Sequence, residues 1–172
     1  MPSNIEIKCL LKDVAAAHTV LSPIADSGPQ TLHQEDFFFP CEGARLKLRV
    51  LQPDYGELIR YERTNAPEVR RSSYTIAGTQ DPHALRDILT ATLGTAGVVK
   101  KKRILYLVGQ TRVHIDDVDG LGNFLEIEVV LRPDQSEDDG RRIASGLLAK
   151  LGIPRSDWIA DAYIDLLACK TR

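Results

Sequence analysis

Glu126 and Glu128 sit two residues apart in the stretch VHIDDVDGLGNFLEIEVVL, residues 113–131. A strand alternates its side chains with period 2, so both carboxylates would share one face. Side by side they repel each other, and a cation between them relieves the repulsion. Asn4, Glu6 and Lys8 share a face in the same way at the start of the chain. Basic residues alternate on the segments between: Arg45, Lys47 and Arg49, then Lys101 and Arg103. Carboxylates hold a hard, oxygen-loving ion such as Mg²⁺ or Mn²⁺. Arg forks and Lys point charges hold phosphate oxygens. Acids and bases all at period 2 imply a barrel with a charged interior, suited to a metal-complexed polyphosphate.

The elements that must position these groups are mostly strands. Residues 4–11 alternate as a first strand, and Asp13 caps a short helix that Pro23 stops. A polar loop over 26–30 leads to an aromatic-rich strand at 32–39. Residues 44–51 form a strand with Leu46, Leu48 and Val50 opposite the three bases. A turn at Pro53-Asp54-Tyr55-Gly56 precedes strands at 57–64 and 72–77. Asp81, Pro82 and Gly94 mark the start and end of a helix. Strands follow at 98–108, 110–117 and 124–131, with Gly120 and Gly122 in the turn between the last two. Ser136 and Asp139 cap a helix over 141–151, and a last helix is expected from Ser156 to Leu167. The sum is about eight strands and four helices in one α+β domain over 1–172.

Charge keeps to one parity on nearly every strand. That face carries Lys8, Arg45, Lys47, Arg49, Arg60, Lys101, Arg103 and Arg112 against Glu6, Glu62, Asp116, Glu126 and Glu128, an excess of three positive charges. An open sheet would simply solvate such a face. A sheet closed into a barrel with helices outside would turn it inward, where charges must pair, stay wet or meet a ligand. His114, between Arg112 and Asp116, is either a general acid/base or a hydrogen-bonding histidine beside acids. Lys100 to Arg103 reads as a strand with alternating bases rather than a nucleic-acid patch. His33 reads as a loop residue, Trp158 as a core anchor and Tyr163 as packing for the closing helix.

Composition sets the outer limits. The 172 residues carry 22 bases and 24 acids, a net charge of −2. Near balance argues against bulk nucleic-acid binding. Cys9, Cys41 and Cys169 have no metal or disulfide spacing, which fits reduced thiols in the cytoplasm. No signal peptide or membrane-length apolar run is visible.

Taken in order, these segments resemble the CYTH domain, the triphosphate tunnel metalloenzymes. Asn4-Ile5-Glu6-Ile7-Lys8 is similar to the family's opening E-x-E-x-K, with Asn4 in place of the first acid. His33-Gln34-Glu35-Asp36-Phe37-Phe38 resembles Q-x-D-x-(Y/F)-F, Arg45 to Arg49 the R-x-(R/K)-x-R strand, and Lys101-Lys102-Arg103 the K-x-R strand. Residues 115–128 resemble the D-x-V-x-G-L-G-x-F-x-E-I-E signature. Ala162 to Leu167 is similar to the family's last helix.

The resemblance implies a closed antiparallel tunnel barrel of about eight strands with helices packed outside. It implies Glu6, Glu126 and Glu128 as metal ligands and Asp116 as a metal ligand or the acid behind it. Phosphate holders would be Lys8, Arg45, Lys47, Arg49, Lys101, Arg103 and Arg112, with Glu6, Asp116 and Lys8 the catalytic set. Glu62 stands where many relatives carry lysine. The activity implied is Mg²⁺- or Mn²⁺-dependent hydrolysis of a nucleoside, thiamine or inorganic triphosphate. The alternatives are class IV adenylyl cyclase activity and a polyphosphate-binding module without turnover. The expected partner is a small phosphorylated molecule, with neither nucleic acid nor membrane, and a homodimer is compatible.

Overall fold

The computed structural model describes residues 3–63 and 70–170. Along them run β1 (Ser3–Leu10), α1 (Val14–Leu21), β2 (Ser27–Phe39), β3 (Arg45–Gln52), β4 (Tyr55–Arg63) and β5 (Arg70–Thr79). There follow α2 (Pro82–Leu93), β6 (Gly97–Val108), β7 (Thr111–Val118), β8 (Gly122–Val130), α3 (Glu137–Lys150), β9 (Trp158–Ile159) and α4 (Tyr163–Lys170). The strands form one sheet in the order β5-β4-β3-β2-β6-β7-β8-β1-β9. Its ladders are antiparallel, and β1 also pairs with β5, Ser3 opposite Ser73 through Glu6 opposite Arg70. The α+β class expected from the sequence is what the chain adopts. No helix among the described residues is long and apolar enough to cross a membrane.

Local chemistry sets the helix ends. Asp13 accepts from the Ala16 amide at 2.9 Å, and Asp81 accepts from Ala84 at 3.0 Å with Pro82 beginning α2. Ser136 and Asp139 satisfy each other's amides in a capping box. The helix α3 lies over the apolar parity of β1 and β8, where Ile5, Ile127 and Val129 meet Ala144, Leu147 and Leu148. Gly140 lets it approach, since a Cβ there would come within 2.6 Å of the Ile5 side chain.

Three expectations need correction. The polar run 26–30 is not a loop, and neither is His33: β2 starts at Ser27, pairs with β6 across an irregularity between Ser27 and Gln30, and sets His33 opposite Lys102. A proline without an amide hydrogen is accommodated at such a break in the ladder. The last helix does not begin near Ser156. Arg155–Asp157 make one 3₁₀ turn, and Trp158–Ile159 form β9 against β1. The reason lies in β1: β5 covers that edge only as far as Glu6, leaving the backbone around Lys8 and Cys9 for β9 to pair. The third correction is the parity of β4. The hairpin begins with Gln52 opposite Tyr55, then shifts by one residue, so Val50 faces Gly56 and Lys47 faces Ile59. One residue of slip exchanges the two faces of a strand. Arg60 and Glu62 therefore point outward, pairing with each other at 3.0 Å, while Glu57, Ile59 and Tyr61 point inward. The expected end of that strand at residue 64 lies outside the described residues.

Candidate functional site

The charged parity of the sheet lines a cavity of about 380 Å³, within the range of about 300–1,000 Å³ common for small-molecule sites. Strand β7 shows why this is no ordinary solvated face. Val113 and Ile115 are buried on one side, and His114 and Asp116 are equally buried on the other. Among the described residues six bases line the cavity, Lys8, Lys47, Arg49, Lys101, Arg103 and Arg112. The acids are Glu6, Asp36, Glu57, Glu126 and Glu128. The excess among these residues is one positive charge rather than the expected three, because Arg45 and Arg60 leave the wall while Asp36 and Glu57 replace Glu62 and Asp116 among its acids.

Register explains which groups meet. Along β7, β8 and β1, Arg112 stands opposite Glu128 and Glu128 opposite Glu6. One step further, His114 stands opposite Glu126 and Glu126 opposite Lys8. On the next step Arg103 of β6 faces Asp116. Its guanidinium donates to both Asp116 oxygens, at 2.7 and 2.6 Å, and also reaches Glu126. Lys8 approaches Glu126 at 3.4 Å and Arg112 donates to Glu128 at 3.0 Å.

Asp116 carries no solvent exposure. Besides Arg103 it accepts from the Tyr163 hydroxyl at 2.9 Å and lies 3.6 Å from Lys101. Burial would raise its carboxyl, but Arg103 and Lys101 outweigh burial and hold it at about 2. Its oxygens are taken up by Arg103, Lys101 and Tyr163, and one Arg103 nitrogen bridges it to Glu126. Arg45 also departs from the cavity row: its fork binds Asp165 of α4 at 3.2 and 2.6 Å, tying that helix to β3.

A second charge group centres on an acid that was not assigned from sequence. Asp36 of β2 accepts from Lys47 at 2.8 Å and from Arg49 at 2.7 and 2.9 Å. Burial opposes its ionisation, yet Arg49 and Lys47 hold it well below the usual carboxylate range. Lys47 goes the other way. Burial and neighbouring Arg49 push its ammonium down to about 7, against the pull of Asp36. The signal for Asp36 was its parity with Gln34 and Phe38 on the same strand. Tyr163, read as packing alone, contributes more than that: its ring lies 3.8 Å from the Lys8 ammonium, a cation–π contact.

The group best suited to a cation is His114 with Glu126 and Glu128, whose candidate ligand atoms all lie within 4.8 Å of one another. The His114 Nδ1 atom is buried without a hydrogen-bond partner among the described residues, 4.0 Å from Glu126 and 3.8 Å from Glu128. Burial and Arg103 push His114 down to about 4, so at neutral pH the ring offers a lone pair. Arg103, after the opposing cost of burial, keeps Glu126 ionised. For Glu128, His114 and Arg112 outweigh the same cost. An orphaned imidazole nitrogen between two carboxylates fits a divalent cation. Sequence parity placed His114 on this face but left its role open between acid/base and hydrogen bonding. Glu6 lines the cavity opposite Glu128 on the neighbouring strand.

Fold and site together define an antiparallel β-scaffold with a buried, internally charged face. The chain belongs to the CYTH domain family, whose pattern matches residues 3–163. No curated protein sequence matches it. Among solved structures it is similar to the PH1012 protein of Pyrococcus horikoshii, with 22% identity, a TM-score of 0.84, and 95% of this chain and 98% of that one covered. It is also similar to a putative adenylate cyclase of Vibrio parahaemolyticus, with 20% identity, a TM-score of 0.77 and coverage of 96% and 97%. A third is a putative adenylyl cyclase from Hippeastrum described as having a dominant triphosphatase activity, with 16% identity, a TM-score of 0.63 and coverage of 99% and 96%.

Proposed function

We propose that this protein is a divalent-metal-dependent enzyme that hydrolyses a triphosphate held inside a closed tunnel. The β1–β5 pairing, which joins the two flanks of the eight long strands, supports closure. The observation that carries the activity is the convergence of His114, Glu126 and Glu128 with Lys8, Arg103 and Arg112 on one wall. Lys47 and Arg49 stand on another strand of the same cavity. Phosphate oxygens would take the Lys and Arg hydrogen bonds, and His114, Glu126 and Glu128 would hold the ion. When bound, that ion supplies charge for the terminal phosphate and acidity for water. Glu6 is the carboxylate beside this group that can take the proton of the attacking water. Asp116 fixes the Arg103 fork through its two hydrogen bonds, so its role is to position a phosphate holder. Catalysis is then positioning and charge neutralisation without a protein nucleophile.

A panel of triphosphates with Mg²⁺ and with Mn²⁺, following phosphate and cyclic nucleotide together, tests the reading. Metal-stimulated phosphate release is the expected result. Cyclic AMP as the main product from ATP, or binding with no turnover, would overturn it.

Two further results are expected from the same site. Lys47 is pushed down to about 7 in the free protein, so at pH 8 it is mostly neutral. A bound polyanion favours its charged form, and binding without metal should take up roughly one proton or less at this residue. Calorimetry in buffers of different ionisation enthalpy reads that uptake, and Lys47→Arg should remove most of it. Equal uptake in the variant would place the proton elsewhere.

Asn4 is 3% exposed and lines the cavity on the face of Glu6. Asn4→Asp adds a charge there and should tighten Mn²⁺ binding roughly fivefold, on the order of 1 kcal/mol. Without metal the same change should lower stability by crowding acids. A metal titration unchanged by the substitution would place residue 4 outside the ion site.

A further inference from the structure

The cavity wall is not charged all the way round. Among the described residues the Lys and Arg side chains come from β1, β3, β6 and β7 and the acids other than Glu57 from β1, β2 and β8, whereas β4 and β5 present a largely uncharged surface. Ile59 stands opposite Ile76, and Tyr61 opposite Tyr74, on consecutive inward positions of the two strands. Two aliphatic and two aromatic side chains thus form a continuous platform facing the cavity. Ile76 is 47% exposed although it lines an inward face, so its surface is presented to the cavity rather than packed into a core. The platform exists because of the one-residue shift in the β3–β4 hairpin, which turns Arg60 out and Ile59 and Tyr61 in.

Such a wall offers little to phosphate. Among its described lining residues it has no cation of its own, although Lys47 lies 5.6 Å from the centre of the Tyr61 ring and Arg112 meets Tyr74, and the one acid among them, Glu57, repels anions. A polyphosphate chain laid against it would lose water without gaining charged hydrogen bonds. Flat rings and aliphatic carbons gain by covering it, and tyrosine faces favour offset or edge-on contact with an aromatic ring. The carboxylate of Glu57 can accept from an N–H or O–H at the edge of such a group.

We propose that the substrate is an organic triphosphate, a ring-bearing group esterified to the phosphate chain, and that Ile59, Tyr61, Tyr74 and Ile76 select it over inorganic triphosphate. This rests on the triphosphatase reading and narrows it. The phosphates lie along the Lys and Arg wall, and the ring lies on the β4–β5 platform with Glu57 at its polar edge.

The test compares ATP, thiamine triphosphate and inorganic tripolyphosphate with Mn²⁺, as kcat/KM and as Kd, in the wild type and in Ile76→Lys and Ile76→Ser. The partly exposed position of Ile76 lets both variants keep the fold, checked by thermal midpoint. The better organic triphosphate should exceed tripolyphosphate by about tenfold or more in the wild type, and Ile76→Lys should reduce that preference about tenfold, the scale of discrimination an apolar pocket provides. Ile76→Ser should lower the organic substrate and leave tripolyphosphate within about twofold. Tripolyphosphate used as well as either organic compound, or variants that lower all three alike, would overturn the inference while leaving the triphosphatase reading intact. Failure of all three to bind or react would overturn both.

Discussion

Replacing Glu126 and Glu128 together with glutamine should lower metal-stimulated triphosphate hydrolysis by about a thousandfold or more. Losing the charge stabilisation of a bound ion costs several kcal/mol, and each ~1.4 kcal/mol is tenfold in rate. Phosphate release with saturating Mn²⁺ measures the effect, and far-UV circular dichroism checks the fold. The structure also sets the sign of the stability change. From sequence alone, two like charges on one strand face should relax when removed, leaving the metal-free protein as stable or more so. The two carboxylates instead lie among cations: Glu126 meets Arg103 and Lys8, and Glu128 meets Arg112. Glutamines would leave those cations short of counter-charge, so the metal-free variant should be less stable than the wild type. Wild-type activity in the double variant would make these acids purely structural.

Much of this site was legible in the sequence because a strand's period is 2. Where a long ladder keeps its register, as β7–β8–β1 does, parity alone puts Arg112, Glu128 and Glu6 on one face and in neighbouring rows. Parity failed where the ladder breaks register. The irregularity between Val50 and Gln52 reversed β4, and no propensity marks such a shift. It also hid the apolar platform, since the charged residues of β4 were the ones expected inside. The β9 segment was misread for another reason. Trp158 and Ile159 have a helix-compatible pattern, and only the unpaired edge of β1 makes a strand of them. Asp36 and Tyr163 were visible as residues of recognisable segments. What sequence could not supply was their partners: Lys47 and Arg49 across one ladder, and Asp116 from a distance of 47 positions along the chain.

That last network leads to the largest expected change in stability. Arg103 and Asp116 are 4% and 0% exposed, and two hydrogen bonds join them. A buried charge that loses its partner costs more than the intact pair contributes, so Arg103→Met should destabilise the fold by about 3–5 kcal/mol. Lys101, 3.6 Å from Asp116, offsets part of that loss. Asp116→Asn added to Arg103→Met removes the stranded charge, and Glu126 still keeps Lys8. The double variant should therefore recover about 2 kcal/mol over Arg103→Met alone, a coupling expected for groups in one network. Acidity supplies an independent check. In the wild type Asp116 is held at about 2, below its ordinary 3.8, so its contribution is present above the ordinary value and is lost as the pH falls toward 2. Without Arg103 burial should raise the same carboxyl, and protonation should then relieve the variant. The stability gap to the wild type should narrow as the pH falls from neutral toward the raised value. Urea unfolding across that range measures both effects. A double variant whose loss equals the sum of the two single losses, with a gap independent of pH, would show that Arg103 and Asp116 act separately.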